Sequence, residues 1–307
     1  YTMVVVAEAE RILRLAKTDA VRTLAREIHD IAWETIATHF HLATGQWAGP
    51  HSRAYSDTLG PDTARRLAAA TGVAVGAITP EEAASQLVEQ PLPCPEKYRR
   101  YFRDAKRSDC VVQRYSRREP ASRSTIGTTW FDGDACLGSV NHDTMWVQRR
   151  PVIAYWQNGS TIAVLRLRFL HDGKDFASAF VRNAQAGGRL LSGVSLLTDQ
   201  GDYHCHLDRP ANSTFSAGDF RLRYELQADS ASVEELHDER FILKAGPRMA
   251  AVHCHGGNFD GDDVVWEAGC ENGRAYVDAV CYHGPQRDFD FRQLGDTWLI
   301  VAMELLH

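Results

Sequence analysis

The segment Gly45-Gln46-Trp47-Ala48-Gly49-Pro50-His51-Ser52-Arg53-Ala54-Tyr55-Ser56-Asp57 concentrates side chains that can do chemistry. It offers an imidazole, a guanidinium, a phenol, a carboxamide and a carboxylate. Gly49-Pro50 interrupts any helix, because the residue before a proline is pushed out of the α region and proline has no N–H to donate. The residues after Pro50 are expected to form a turn that aims several polar groups at one place. If the stretch is extended, His51, Arg53 and Tyr55 share a side, since strand side chains alternate with period two. Together they could divide proton abstraction, proton delivery and neutralisation of an acidic group. The competing reading is a helix-ending loop whose polar groups satisfy nearby backbone.

A second polar cluster is Asn141-His142-Asp143-Thr144-Met145-Trp146-Val147-Gln148-Arg149-Arg150. Trp146 could act as a sugar platform, Gln148 as an amide partner, and Arg149 as a bidentate carboxylate ligand, with His142 beside them. The alternative is a turn with Trp146 in the core and Arg149 and Arg150 solvated. Two His-Cys-His triplets form the third signal: His204-Cys205-His206 with Asp208 nearby, and His253-Cys254-His255. In a strand the two imidazoles of a triplet face one side, a spacing that suits zinc. His253 and His255 are the preferred metal candidates, and His283 could join them. Hydrogen-bonded structural histidines are the competing account.

The elements that must carry these residues change character along the chain. Val21, Leu24, Ile28 and Ile31 fall on one helix face, with Thr18-Asp19 as a candidate N-cap. Thr79-Pro80-Glu81-Glu82 is a helix start, Asp62 to Thr71 reads as a helix closed by Gly72, and Tyr98 to Phe102 as a last helical piece. After about Ser108 the period becomes two. Val111–Tyr115, Thr161–Leu170, Phe176–Arg182, Leu190–Leu197, Asp219–Leu226 and Arg248–His253 read as strands, punctuated by Asp172-Gly173, Gly187-Gly188, Gly201-Asp202 and Gly256-Gly257. The fold expected is α+β: a helical layer over 1–107, then a large antiparallel β-sandwich over 108–307, with Arg114–Arg123 as the linker.

Composition narrows the function classes. The chain has 307 residues, 44% hydrophobic and 24% charged, with a formal charge of -6. That balance argues against nucleic acid or an anionic membrane as the main partner. No apolar run is long enough to span a bilayer. No charged stretch followed by an apolar segment and a cleavage site opens the sequence, so no signal peptide is expected in it. Seven cysteines without a CxxC pair argue against a disulfide framework and against a cysteine-only zinc site.

Gly127-Thr128-Thr129-Trp130-Phe131, Leu137-Gly138-Ser139-Val140 and Trp146-Val147-Gln148-Arg149-Arg150-Pro151 are similar to the entry strands of the sandwich in heparinase II/III-like polysaccharide lyases. Tyr1-Thr2-Met3-Val4 resembles the end of that family's Ser-Pro-Thr-Tyr helix-start motif, whose tyrosine acts in the elimination. The resemblance implies that the helical part belongs to an α/α toroid, here only its C-terminal portion. It implies a lyase that cleaves a uronate-containing polysaccharide by β-elimination, in a periplasmic or secreted setting. Tyr55, His51, Arg53 and Tyr1 are then the catalytic candidates, and Gln46, His142, Trp146, Gln148 and Arg149 the substrate-binding ones. The partner expected is an acidic polysaccharide or oligosaccharide, with a homo-oligomer left open. A zinc ion is the cofactor His253 and His255 would suit. A glycoside hydrolase and a non-catalytic glycan-binding or structural module are the alternatives.

Overall fold

Local signals in the first third of the chain produce the helices they encode. In the computed structural model, which describes residues 1–177, 179–196 and 214–307, the helices are Thr2–Leu15, Asp19–His39, Pro61–Thr71 and Pro80–Gln86, with a 3₁₀ turn at Glu96–Phe102 after them. The Thr79 hydroxyl accepts from the Glu82 amide at 3.2 Å, which satisfies one of the donors left open at a helix start. Gly72 ends Pro61–Thr71 in the left-handed region, φ 69°, where a Cβ would be strained. Thr18 precedes Asp19–His39 as expected, but its side chain makes no capping bond.

The long helix does not bury the face its apolar period marks. Val21, Leu24, Ile28 and Ile31 are 45%, 60%, 46% and 62% exposed, whereas Ala25, His29, Ala32, Trp33, Ile36 and Ala37 are buried. The small residues on that face admit close packing against neighbours. Trp33 and Phe40 both meet Phe102, at ring-centroid distances of 6.0 and 4.8 Å, beside Val6, Leu67 and Tyr98.

From Ser108 on, the described residues are predominantly antiparallel strands. One sheet runs Val265–Glu271, Arg274–Asp290, Thr214–Gln227, Thr161–His171, Val152–Asn158, Ala135–Val140, Ile126–Asp132, Ser108–Arg114, with Lys174–Asp175 alongside Thr161–His171. The other runs Ser232–Glu235, Arg240–Ala245, Arg248–Phe259, Thr297–Leu306, Arg189–Ser195, Phe180–Ala186, His142–Thr144, with Asp262–Asp263 on Arg248–Phe259. Leu137, Leu165, Leu167 and Phe220 from the first sheet share a single core with Val181, Phe241, Val252 and Val301 from the second, which makes the pair a sandwich. Trp156, fully buried, donates its indole N–H to the Ala245 carbonyl at 2.8 Å and so ties one sheet to the other.

The chain forms two compact units that are interleaved in sequence. One comprises Tyr1–Ala48, Ser56–Val111 and Phe131–Asp134; the other comprises Gly49–Tyr55, Val112–Trp130 and Ala135–His307. The sequence-based division at 107/108 places 49–55 with the helices, whereas these residues belong to the sandwich unit. Arg114–Arg123 is not a free linker. It continues from the strand Ser108–Arg114 into Tyr115, whose N–H donates to the Thr125 carbonyl at 2.8 Å, and then into a 3₁₀ turn at Ala121–Arg123. No helix among the described residues is long and apolar enough to cross a membrane.

Candidate functional site

Gly49–Tyr55 lies on the sandwich as a strap, and its anchors are backbone bonds that the sequence could not announce. The His51 N–H donates to the Arg150 carbonyl at 3.1 Å, the Arg150 N–H donates back to the His51 carbonyl at 2.9 Å, and the Ala54 N–H donates to the Gln148 carbonyl at 2.7 Å. Upstream, the Thr129 hydroxyl donates to the Gly49 carbonyl at 2.6 Å and the Tyr115 hydroxyl to the Pro50 carbonyl at 3.0 Å. Burial pushes the Tyr115 phenol up, so it stays a hydroxyl donor. Gly138 is required for this contact: a Cβ there would overlap the Gly49 carbonyl group and the Pro50 nitrogen.

The second polar cluster is the segment onto which the strap is tied. It leaves the edge strand His142–Thr144 of one sheet and enters the other at Val152–Asn158. Arg53 Nε donates to Gln148 Oε1 at 2.8 Å. The Arg53 guanidinium sits 5.4 Å from the Trp146 ring centroid and 5.9 Å from that of Tyr55; Arg149 approaches Trp146 at 5.8 Å. These separations are within the range in which a ring face attracts a cation. Arg149 is fixed by the Thr144 carbonyl at 3.0 Å, by the Thr144 hydroxyl, and by Asp143 at 3.1 Å. A half-buried indole approached by two guanidiniums is therefore the centre of the surface.

His142 stacks on Phe180 with centroids 6.1 Å apart and planes 23° from parallel. Its Nε2 is buried and has no hydrogen-bond partner among the described residues, an arrangement that costs about 1–3 kcal/mol unless something pairs it. Tyr55 is 72% exposed. Seven of the candidates (His51, Arg53, Tyr55, His142, Trp146, Gln148 and Arg149) thus belong to the sandwich unit. Gln46 and Tyr1 belong to the helical unit. There the Gln46 Oε1 accepts from the Leu59 N–H at 2.7 Å, and Tyr1 precedes the first helix, its carbonyl accepting from Val5 at 2.9 Å.

The metal candidates His253 and His255 are adjacent, ring centroids 4.0 Å apart, next to a register shift between Cys254 and Gly256. Burial, then His255 and Arg240, pulls the His253 pKa below the ordinary imidazole value. Among the described residues no third His, Cys, Asp or Glu completes a metal-holding group with them, so the pair leaves a four-coordinate zinc ion short of ligands. His283 does not join them. It sits in the other sheet with Nδ1 3.1 Å from Asp219. His204, Cys205, His206 and Asp208, and the Gly201-Asp202 turn, lie outside the described residues.

Thr129, Tyr115 and Gly138 fall in stretches the sequence marks as strands, but not as supports of the strap, since a small or aromatic residue in a strand gives no sign of what will rest on it. The charged outer face of the first sheet is a larger feature, which the sequence showed only in part. Arg166 and Arg168 bind Asp175, Arg168 also binds Glu225, and Arg221 and Arg223 converge on Asp278. The alternation Leu165-Arg166-Leu167-Arg168 shows a polar face, but not which carboxylates meet it. Compared with known protein families, curated proteins and solved structures, the chain matches none.

Proposed function

We propose that this protein is a lyase that holds an acidic, uronate-containing polysaccharide on the Arg53–Trp146–Arg149 surface and cleaves it by β-elimination. The observation that carries the reading is the tying of the strap Gly49–Tyr55 to the segment Asn141–Arg150. It brings a phenol, an imidazole, two guanidiniums, an amide and an indole onto one unit. Indole and phenol rings suit the apolar face of a sugar, and a planar guanidinium suits its carboxylate.

Elimination removes the proton beside the carboxylate and expels the 4-linked oxygen as a carbon–carbon double bond forms. In this reading Arg53 faces the substrate carboxylate, where it stabilises the enolate-like charge. Tyr55 takes the proton or delivers it to the leaving oxygen, and His51 assists. A cation near the Tyr55 ring lowers the cost of its phenolate. Tyr1 is the second phenol candidate, on the resemblance of its segment alone. The helical unit as part of an α/α toroid rests on the same resemblance.

A hydrolase would need two carboxylates facing each other across the scissile bond. The carboxylate of this surface, Asp143, is instead paired with Arg149. A non-catalytic glycan-binding module is the second reading, favoured by the 72% exposure of Tyr55, which leaves the phenol in water.

The test is incubation with a panel of uronate-containing polysaccharides, monitoring the ultraviolet absorbance of an unsaturated uronate. Tyr55→Phe or His51→Ala is expected to lower turnover about 10²–10⁴-fold, with a smaller effect on binding. Tyr1→Phe is run in parallel. New reducing ends without unsaturation would favour the hydrolase, and binding without turnover the module. Normal turnover by both tyrosine variants would remove the phenol assignment.

A further inference from the structure

The outer face of the first sheet carries a groove that the proposed chemistry does not use. It is half open, with a volume of about 360 Å³, and four arginines (Arg168, Arg221, Arg223 and Arg274) line it together with Tyr276 and three carboxylates, Asp219, Glu225 and Glu271. Strand register sets its charges: Arg223 lies opposite Arg168 on one side and Asp278 on the other, and Glu225 lies opposite Tyr276. Two guanidiniums directly opposite would repel each other unless each has a carboxylate of its own. Asp278, with no exposed surface, accepts from Arg223 at 2.7 and 2.6 Å and from Arg221 at 2.8 Å; Asp175 and Glu225 each accept from Arg168 at 2.9 Å.

These pairs leave donors over. Arg223 uses Nε and Nη2 on Asp278, and its Nη1 has no hydrogen bond among the described residues. Its guanidinium carbon lies 3.9 Å from the Tyr276 ring centroid, which holds the fork flat. Arg274 is half exposed, and its nearest carboxylate oxygen, on Glu225, is 3.9 Å away, outside hydrogen-bond distance. The groove therefore holds a fixed guanidinium, Arg223, and a half-exposed one, Arg274, held only by a loose ion pair to Glu225, beside an aromatic wall. Arg168 also lines a separate void of about 10 Å³, with Trp146, Arg149, Arg166 and Asp175, room for about one water.

We propose that this groove is a distal subsite for the same acidic chain, with a carboxylate or sulfate of a sugar several units from the cleavage point received by Arg223 and Arg274. The choice of an acidic saccharide rests on the lyase reading; the anion site rests on the groove itself. Arg274 is the residue to change, because removing Arg223 would leave Asp278 buried and underpaired.

Binding of short and long acidic oligosaccharides, uronate-only and sulfated, is measured by calorimetry against a neutral glycan. Arg274→Gln is expected to weaken the long chains about tenfold, as for one lost charge-assisted contact, and to leave the short ones unchanged. Arg274→Lys should restore part of the loss. Comparing the uronate-only and sulfated chains shows which anion the groove takes. Trp146→Ala should weaken both lengths. Equal affinity of Arg274→Gln and the wild type for long chains overturns the groove, as does an equal loss at both lengths. If Trp146→Ala has no effect while Arg274→Gln weakens long chains, the strap site falls and the groove stands. No binding of either length by the wild type overturns both.

Discussion

Replacing Gly138 by alanine should detach the strap that carries His51, Arg53 and Tyr55. The added Cβ would overlap the carbonyl group of Gly49 and the nitrogen of Pro50, which are main-chain atoms without a rotamer to escape into. The strap must lift or the strand Ala135–Val140 must shift. The bonds that hold the strap include Thr129 to Gly49, Tyr115 to Pro50, the reciprocal pair between His51 and Arg150, Ala54 to Gln148, and Arg53 to the Gln148 side chain. Losing two or three of them at about 0.5–1.5 kcal/mol each gives about 1–4 kcal/mol. Overpacking strain adds about 1–3 kcal/mol, so about 2–7 kcal/mol is expected. The assay is urea denaturation combined with binding of an acidic oligosaccharide. Gly193→Ala is the control, since a Cβ at that strand position meets nothing within 4 Å. The expected result is a large fall in the midpoint for Gly138→Ala, or a folded protein that has lost binding, against near-wild-type behaviour for Gly193→Ala. A Gly138→Ala protein with unchanged midpoint and unchanged binding would refute the claim that the strap rests on this glycine.

Tyr115→Phe removes the hydroxyl bonded to Pro50 and should cost about 1 kcal/mol in the same denaturation assay. Asp175→Asn should cost about 3 kcal/mol, because it leaves the low-exposure Arg166 and Arg168 short of negative charge. Burial raises the Asp175 pKa, but Arg166 and Arg168 outweigh it and hold the carboxyl below its usual range. Its contribution is therefore present at neutral pH and is lost as pH falls from about 4 through the depressed value; the acid limb of a stability–pH curve should flatten in Asp175→Asn. His253, also depressed, should lose its contribution as pH falls below about 6.5, and His253→Gln should reduce that slope.

The two halves of the architecture were legible because they are written in local terms. A capping Thr79 before Pro80, a left-handed Gly72 after Thr71, and the change from a helical period to alternation near Ser108 act through neighbouring φ and ψ angles and one-sided burial. The side-chain types at 51–55 and 142–149 were equally visible, and so was the chemistry they could support. The sequence carried no sign that Arg53 would find Gln148, 95 residues away, or that Gly138 would lie beneath Gly49. Such contacts depend on strand order and register, which many alternating sequences leave open until the sheets pack. The same holds for the long helix. Its periodic Val21, Leu24, Ile28 and Ile31 stay exposed while Ala25, Ala32 and Trp33 are buried. Periodicity defines a stripe; which stripe is covered depends on the shape of the partner that packs there.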